Sequence, residues 1–174
     1  QLRVFFQQKS QIDFIENTIK PQINELIKYD IDIFWFDGDW EFTTKYAQKT
    51  FDDIVDRLHK KNIKVNDRIG MKKEKNDINF LGKSDFRNYA DREIPNEEPN
   101  VPWECIITIG LSWGYNRNQE NNDFKSGEEL FDIWNKVNKK NGNLLINFGP
   151  NKSGKLNDVE VNSFIEFTNI KNNI

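Results

Sequence analysis

Short apolar runs alternate along this chain with longer stretches in which apolar positions recur every three or four residues, the pattern of strands interleaved with amphipathic helices. The runs predict strands over Ile31–Phe36, Ile63–Asn66, Cys105–Ile109 and Leu144–Phe148. Before the first strand, Ile15, Ile19, Ile23, Leu26 and Ile27 repeat at helical spacing, with Pro21 either kinking that helix or starting its second half. After it, Ala47, Phe51, Ile54, Val55 and Leu58 form a second apolar stripe. A third helix opens with Ser126 and Glu129 in capping-box spacing, turns Leu130, Trp134 and Val137 inward and stops at Gly142. A fourth starts near Asn157, with Val161, Phe164 and Ile165 facing in. Two polar stretches interrupt the rhythm. The one between Gly70 and Trp103 is too long for an ordinary βα connection and reads as a binding loop, its Lys72–Lys75 run solvated around Glu74; the Asn-rich one, Asn116 to Phe124, reads as mobile.

The densest information lies from Ile31 to Trp40. A strand apolar on both faces belongs inside a parallel sheet covered by helices, where functional groups stand at strand ends, and this strand ends on Asp37. Gly38 lets the backbone turn after it, while Trp35, Phe36 and Trp40 surround the carboxylate with flat apolar faces, as a sugar pocket requires. The other strands end likewise: Asn66, Asp67 and Arg68 after the second, Ser112, Trp113 and Tyr115 after the third, Asn147 to Pro150 at the fourth. Polar and aromatic groups delivered to one rim describe a site built from strand ends.

Composition narrows the partners. At 174 residues, 36% of them hydrophobic, the chain can bury one core, yet a complete eight-stranded barrel takes roughly 250 residues. A net charge of −3 gives no attraction to nucleic acid or an anionic membrane, and no stretch approaches the roughly 18 apolar residues of a membrane span. The single cysteine, Cys105, excludes an internal disulfide and leaves the compartment unread. His59, the only histidine, ends a Lys-rich helix and reads as a surface residue; no cluster has metal-ligand spacing, and no cofactor is implied. The first residue is Gln1 rather than Met, and the apolar LRVFF that follows suggests a start inside a domain.

Several motifs in one order resemble the family 29 α-L-fucosidases. They are the run from Pro21 through Glu25, Leu26 and Tyr29 into WFDGDW, then VNDR and Gly70, then DREIP at Asp91–Pro95, Trp103-Glu104-Cys105, TIGLSWGYNRN from Thr108, and GNLLINFGP from Gly142. The resemblance implies an α/β fold, a TIM-like (β/α)8 barrel of which residues 1–174 form the C-terminal part, about four βα units. It implies retaining hydrolysis of terminal α-L-fucose from fucosylated glycans or glycosides, with Asp37 as nucleophile and Trp35, Arg68 and Trp113 binding the sugar.

Retaining hydrolysis needs a second acid roughly 5–5.5 Å from the nucleophile, to protonate the leaving oxygen and then deprotonate water. The family resemblance implies that this acid varies, many members carrying a Glu just upstream of the Ile-Pro pair; here Asp91 stands in the corresponding place and is the first choice, with Glu93 in the same loop and Glu104 on another strand as alternatives. Structural readings stand beside these. Arg68 could pair with Asp67 or Asp37 as a plain ion pair, Asp91 could be a solvated loop carboxylate, and Glu104 could bond to backbone or to a neighbouring strand.

The histidines, tryptophan and glutamate that the resemblance implies for the first barrel strands have no match here. The chain is therefore expected to need the missing N-terminal half of the barrel and, alone, to be unstable or to associate, for example as a homo-oligomer. A non-catalytic or decayed glycan-binding relative is the alternative function. A separate open α/β domain binding nucleotide is disfavoured by the lack of a Gly-rich phosphate loop.

Overall fold

In the computed structural model the chain divides into two units, Gln1–Arg87 and Asn88–Ile174. It describes residues 9–70 and 77–173; the Lys-rich run at 72–75 and the apolar opening at 2–6 lie outside the described residues.

Pro21 shapes the start of the first unit. Lacking an N–H, it cannot close the ordinary turn onto the fourth residue before it, and the backbone widens into a π-helical segment, Ile15–Ile19, with the Lys20 amide bonded back to the Ile15 carbonyl. An α-helix, α1 (Lys20–Leu26), then starts with the proline in its first turn, the second of the two roles expected for Pro21. The Thr44 hydroxyl accepts the Ala47 amide and caps α2 (Lys45–His59), whose stripe of Ala47, Phe51, Ile54, Val55 and Leu58 is buried as its spacing predicts. Each large apolar side chain in that stripe contributes about 1.5–3 kcal/mol by leaving water, which outweighs the cap. At the helix end His59 is partly exposed, its Nε2 2.9 Å from Asp85 Oδ2.

Two short strands, β1 (Ile33–Phe34) and β2 (Lys64–Val65), pair in parallel with Ile33 opposite Lys64 and Phe34 opposite Val65, and a parallel bridge joins Asn66 to Phe86. The ladder is shorter than the apolar run Ile31–Phe36 predicts, and from Ile33 onward only one face is covered. Phe34 and Phe36 pack on the core formed with α1 and α2, whereas Ile33 is 54% exposed and Trp35 shares its side of the strand.

The second unit, which begins at the second residue of β3 (Arg87–Asn88), carries a sheet in the order β3, β4 (Trp103–Thr108), β5 (Asn143–Asn147). β3 falls inside the stretch that the sequence reads as one long loop. β4 is buried at every residue and pairs in parallel with β5, from Glu104 opposite Asn143 to Thr108 opposite Asn147. Ser126 and Glu129 form the expected reciprocal cap on α3 (Gly127–Asn138), and Asn157 caps α4 (Asp158–Asn172). α3 ends at Asn138, before the predicted stop: Asn141 takes the left-handed turn, and Gly142 is needed because a Cβ there would lie 2.3 Å from the Trp103 ring. α4 is rotated from the predicted facing. Glu160, Ser163 and Phe167 are buried with Phe164 beside them, while Ile165 is 50% exposed.

Candidate active site at the strand ends

Asp37 emerges where the β1–β2 ladder stops. One residue past Val65, the Asn66 side chain takes over the pairing: its Oδ1 accepts the Phe36 amide at 2.6 Å and its Nδ2 donates to the Phe36 carbonyl at 2.8 Å. A side-chain amide offers the same donor and acceptor as a strand backbone, so it holds Phe36 as a neighbouring strand would while ending the ladder. Gly38 then adopts φ +88°, a conformation that favours glycine, and a 3₁₀ turn, Asp39–Glu41, carries the chain away. The result is a carboxylate on a fixed stem.

Arg68, two residues beyond Asn66, closes over it. Its Nη1 donates to Asp37 Oδ1 at 3.1 Å, and its Cζ lies 5.4 Å from the centroid of the Trp35 ring. The Arg68 side chain is 11% exposed and that of Asp37 51%, so the arginine is packed in place while the acid is open to solvent. Asp37, Trp40 and Arg68 line a cavity of about 940 Å³ within this unit, together with Phe14, Phe36 and Phe42.

In the second unit the turn after β3 carries Asp91, Arg92 and Glu93, all exposed. The Tyr89 amide donates to the Glu104 carbonyl and the Arg92 amide to the Ile106 carbonyl, so the segment advances with β4 toward its C-terminal end. There Arg92 Nη2 donates to the Leu111 carbonyl at 2.9 Å, and its Cζ lies 4.9 Å from the centroid of the Trp113 ring. Trp113, 40% exposed, is held from its other side by Asn147 Nδ2 donating to its carbonyl at 2.6 Å. The Asn-rich stretch expected to be mobile is tied down: Gln119 Oε1 accepts the amides of Leu111 and Ser112, and the Lys125 amide donates to the Ile109 carbonyl. Lys125 Nζ bonds to the Thr108 carbonyl, and burial, then the charge of Arg92, holds its ammonium below the ordinary lysine range.

Glu104 sits differently. It is the second residue of β4, buried, with one oxygen accepting from Asn88 Nδ2 at 2.9 Å and the other from Asn143 Nδ2 at 2.7 Å. Both donors stand on the flanking strands, so this carboxylate ties β3, β4 and β5 together at the end where β4 begins, while Trp113 stands beyond the end where it finishes. The neighbouring Cys105 thiol donates to the Glu93 carbonyl, and burial, reinforced by the Glu104 charge, pushes it up to about 11.

Asp37, Arg68 and Trp35 are thus brought together in the first unit, and Trp113 is joined to the turn of Asp91 and Glu93 in the second. The parts played by Asn66, Arg92 and Gln119 escaped the sequence. Asn66 had a signal, an amide at a strand end; the others lie in loops whose partners spacing does not reveal. Among the described residues, no group of three or more His, Cys, Asp or Glu could hold a metal ion. No helix among them is long and apolar enough to cross a membrane.

The profile of the family described as "Alpha-L-fucosidase" matches residues 3–169. The tissue alpha-L-fucosidase of Rattus norvegicus is 28% identical over 148 residues, covering 81% of this chain and 30% of its own length. The alpha-L-fucosidase of Dictyostelium discoideum is 27% identical over 164 residues, covering 90% and 33%. A crystal structure of Thermotoga maritima alpha-fucosidase in complex with fucose superposes with a TM-score of 0.66 at 28% identity, over 86% of this chain and 31% of that one. The chain therefore spans about a third of the length of the relatives it matches.

Proposed function

The chain belongs to the alpha-L-fucosidase family, and we propose that it forms the nucleophile-bearing, C-terminal part of a retaining α-L-fucosidase barrel acting on fucosylated glycans or glycosides. The observation that carries this reading is the Asp37 carboxylate, on a stem fixed by Asn66 and gripped by Arg68 at a parallel strand end. A nucleophile needs this combination: a position held before substrate arrives and an oxygen left open to attack the anomeric carbon. The rigid guanidinium fork of Arg68 suits recognition of sugar hydroxyls, and the Trp35 ring near it suits the C–H face of a pyranose.

The partial barrel is part of the proposal. Parallel pairing of β1 with β2 and of β4 with β5, with helices between strands, supports it, and within each unit so does an exposed apolar strand residue, Ile33 in the first and Leu145 in the second. In a closed barrel such inward-pointing strand residues would be covered. For the acid/base, Asp91 remains the first choice and Glu93 the second, both on an exposed turn at the end where Trp113 stands. Glu104, with both oxygens engaged by strand amides, suits a structural role better. Trp113 is assigned to the sugar-binding wall.

The test uses the protein expressed from its complete gene. Release of nitrophenol from nitrophenyl α-L-fucoside should fall at least about 1,000-fold in Asp37→Asn. Undiminished turnover in that variant would remove Asp37 from the mechanism, and fucose binding without any turnover by the wild type would favour a glycan-binding relative.

A further inference from the structure

Arg92 is the residue of the second unit whose geometry asks most for a reason. Its φ of +64° places a long side chain in the left-handed region that L-residues rarely adopt, and such strain persists only where surrounding contacts impose it. Three contacts do so. The amide donates to the Ile106 carbonyl at 2.8 Å, Nη2 donates to the Leu111 carbonyl at 2.9 Å, and the guanidinium lies over the Trp113 ring at 4.9 Å. The turn itself closes with the Glu93 amide on the Ala90 carbonyl, and the Cys105 thiol fastens the Glu93 carbonyl to β4. Arg92 is thus a bolt between two rim loops, one carrying Asp91 and Glu93, the other Trp113.

We propose that Arg92 is a positioning residue that locks the acid-bearing turn against the Trp113 wall; this deepens the fucosidase reading and rests on it. The argument holds whichever of Asp91 and Glu93 donates the proton, because both flank Arg92 on one turn. A general acid must stay within hydrogen-bond reach of the glycosidic oxygen, and an exposed turn does so only if something fixes it. A planar guanidinium can stack on a ring and donate a hydrogen bond at once, which an ammonium cannot reproduce.

Leaving-group dependence separates this role from general stabilisation. Nitrophenolate departs with little protonation, whereas a sugar or alkyl alkoxide needs the acid. In the protein expressed from its complete gene, Arg92→Gly should leave the thermal midpoint near that of the wild type, since glycine accepts the left-handed backbone. It should lower kcat/KM about tenfold or more on an alkyl or sugar α-L-fucoside that the wild type hydrolyses, and less than about threefold on the nitrophenyl fucoside. Arg92→Asn, which also tolerates that backbone, is the second variant and should behave alike. Equal losses on both substrates, no loss on either, or full recovery in Arg92→Lys would overturn the inference alone. A wild type inactive on every fucoside would overturn the fucosidase reading, and this inference with it.

Discussion

The guanidinium of Arg68 donates to the Asp37 carboxylate at 3.1 Å from a position that is itself almost fully packed, over the ring of Trp35. An arginine held this way keeps its donors in a fixed planar fork. Arg68→Lys keeps the charge but loses the fork and the stacking, and kcat/KM on nitrophenyl α-L-fucoside should fall about 10- to 100-fold with the far-ultraviolet circular dichroism unchanged. Equal kinetics in the lysine variant would show the pair to be a structural contact only.

Asn66 is fully buried and bonds both backbone groups of Phe36. Its removal strands an N–H and a C=O away from water, so Asn66→Ala should cost about 2–4 kcal/mol in urea unfolding. Asn66→Asp should cost more, because a carboxylate oxygen would then face the Phe36 carbonyl. A loss below about 0.5 kcal/mol for the alanine variant would mean that other groups can hold Phe36.

Ser126 caps α3, its hydroxyl accepting the Glu129 amide while Glu129 Oε2 accepts the Ser126 amide, and neither side chain is among the candidate site residues. Ser126→Ala should lower stability by about 1 kcal/mol and leave fucoside turnover unaltered, as followed by thermal unfolding and a parallel assay.

Cys105 yields a pH prediction with a defined sign. Its thiol is pushed from an ordinary value of 9.0 to about 11, chiefly by burial, so the fold favours the protonated form. Below pH 9 both folded and unfolded chains hold the proton, and the thiol contributes no pH dependence. From about pH 9 to about 11 the unfolded chain loses its proton while the folded chain keeps it, so stability falls as pH rises, by at most about 3 kcal/mol. Urea unfolding at pH 8 and pH 10.5 should show this extra fall in the wild type and its loss in Cys105→Ala. Alkylation of the folded protein at pH 8 should also be slow. An identical pH response in the two proteins would sink the assignment.

Gly142 meets the Trp103 ring, whose Nε1 donates to the Lys140 carbonyl at 2.8 Å. Gly142→Ala should therefore destabilise by about 1–3 kcal/mol through overpacking, in calorimetric scans, despite the usual preference of an ordered chain for alanine.

The alternation of four of the strands with helices, the helix start at Pro21, the buried stripe of α2, the Ser126–Glu129 cap and the exit of Asp37 at a strand end were legible in the sequence, whereas β3 and the π-helical turn before Pro21 were not. Each legible feature depends on residues within a few positions of one another, where backbone geometry and spacing determine what can touch. The partner of Arg68 was not legible, since Asp67 beside it and Asp37, 31 positions away, were equal on paper. Nor were the Asn66 clamp on Phe36, the seat of Arg92 over Trp113, the engagement of Glu104 by amides from both flanking strands, or the facing of α4. These follow from which strands lie side by side and where a loop turns, and a sequence constrains such contacts only through the packing of the whole core.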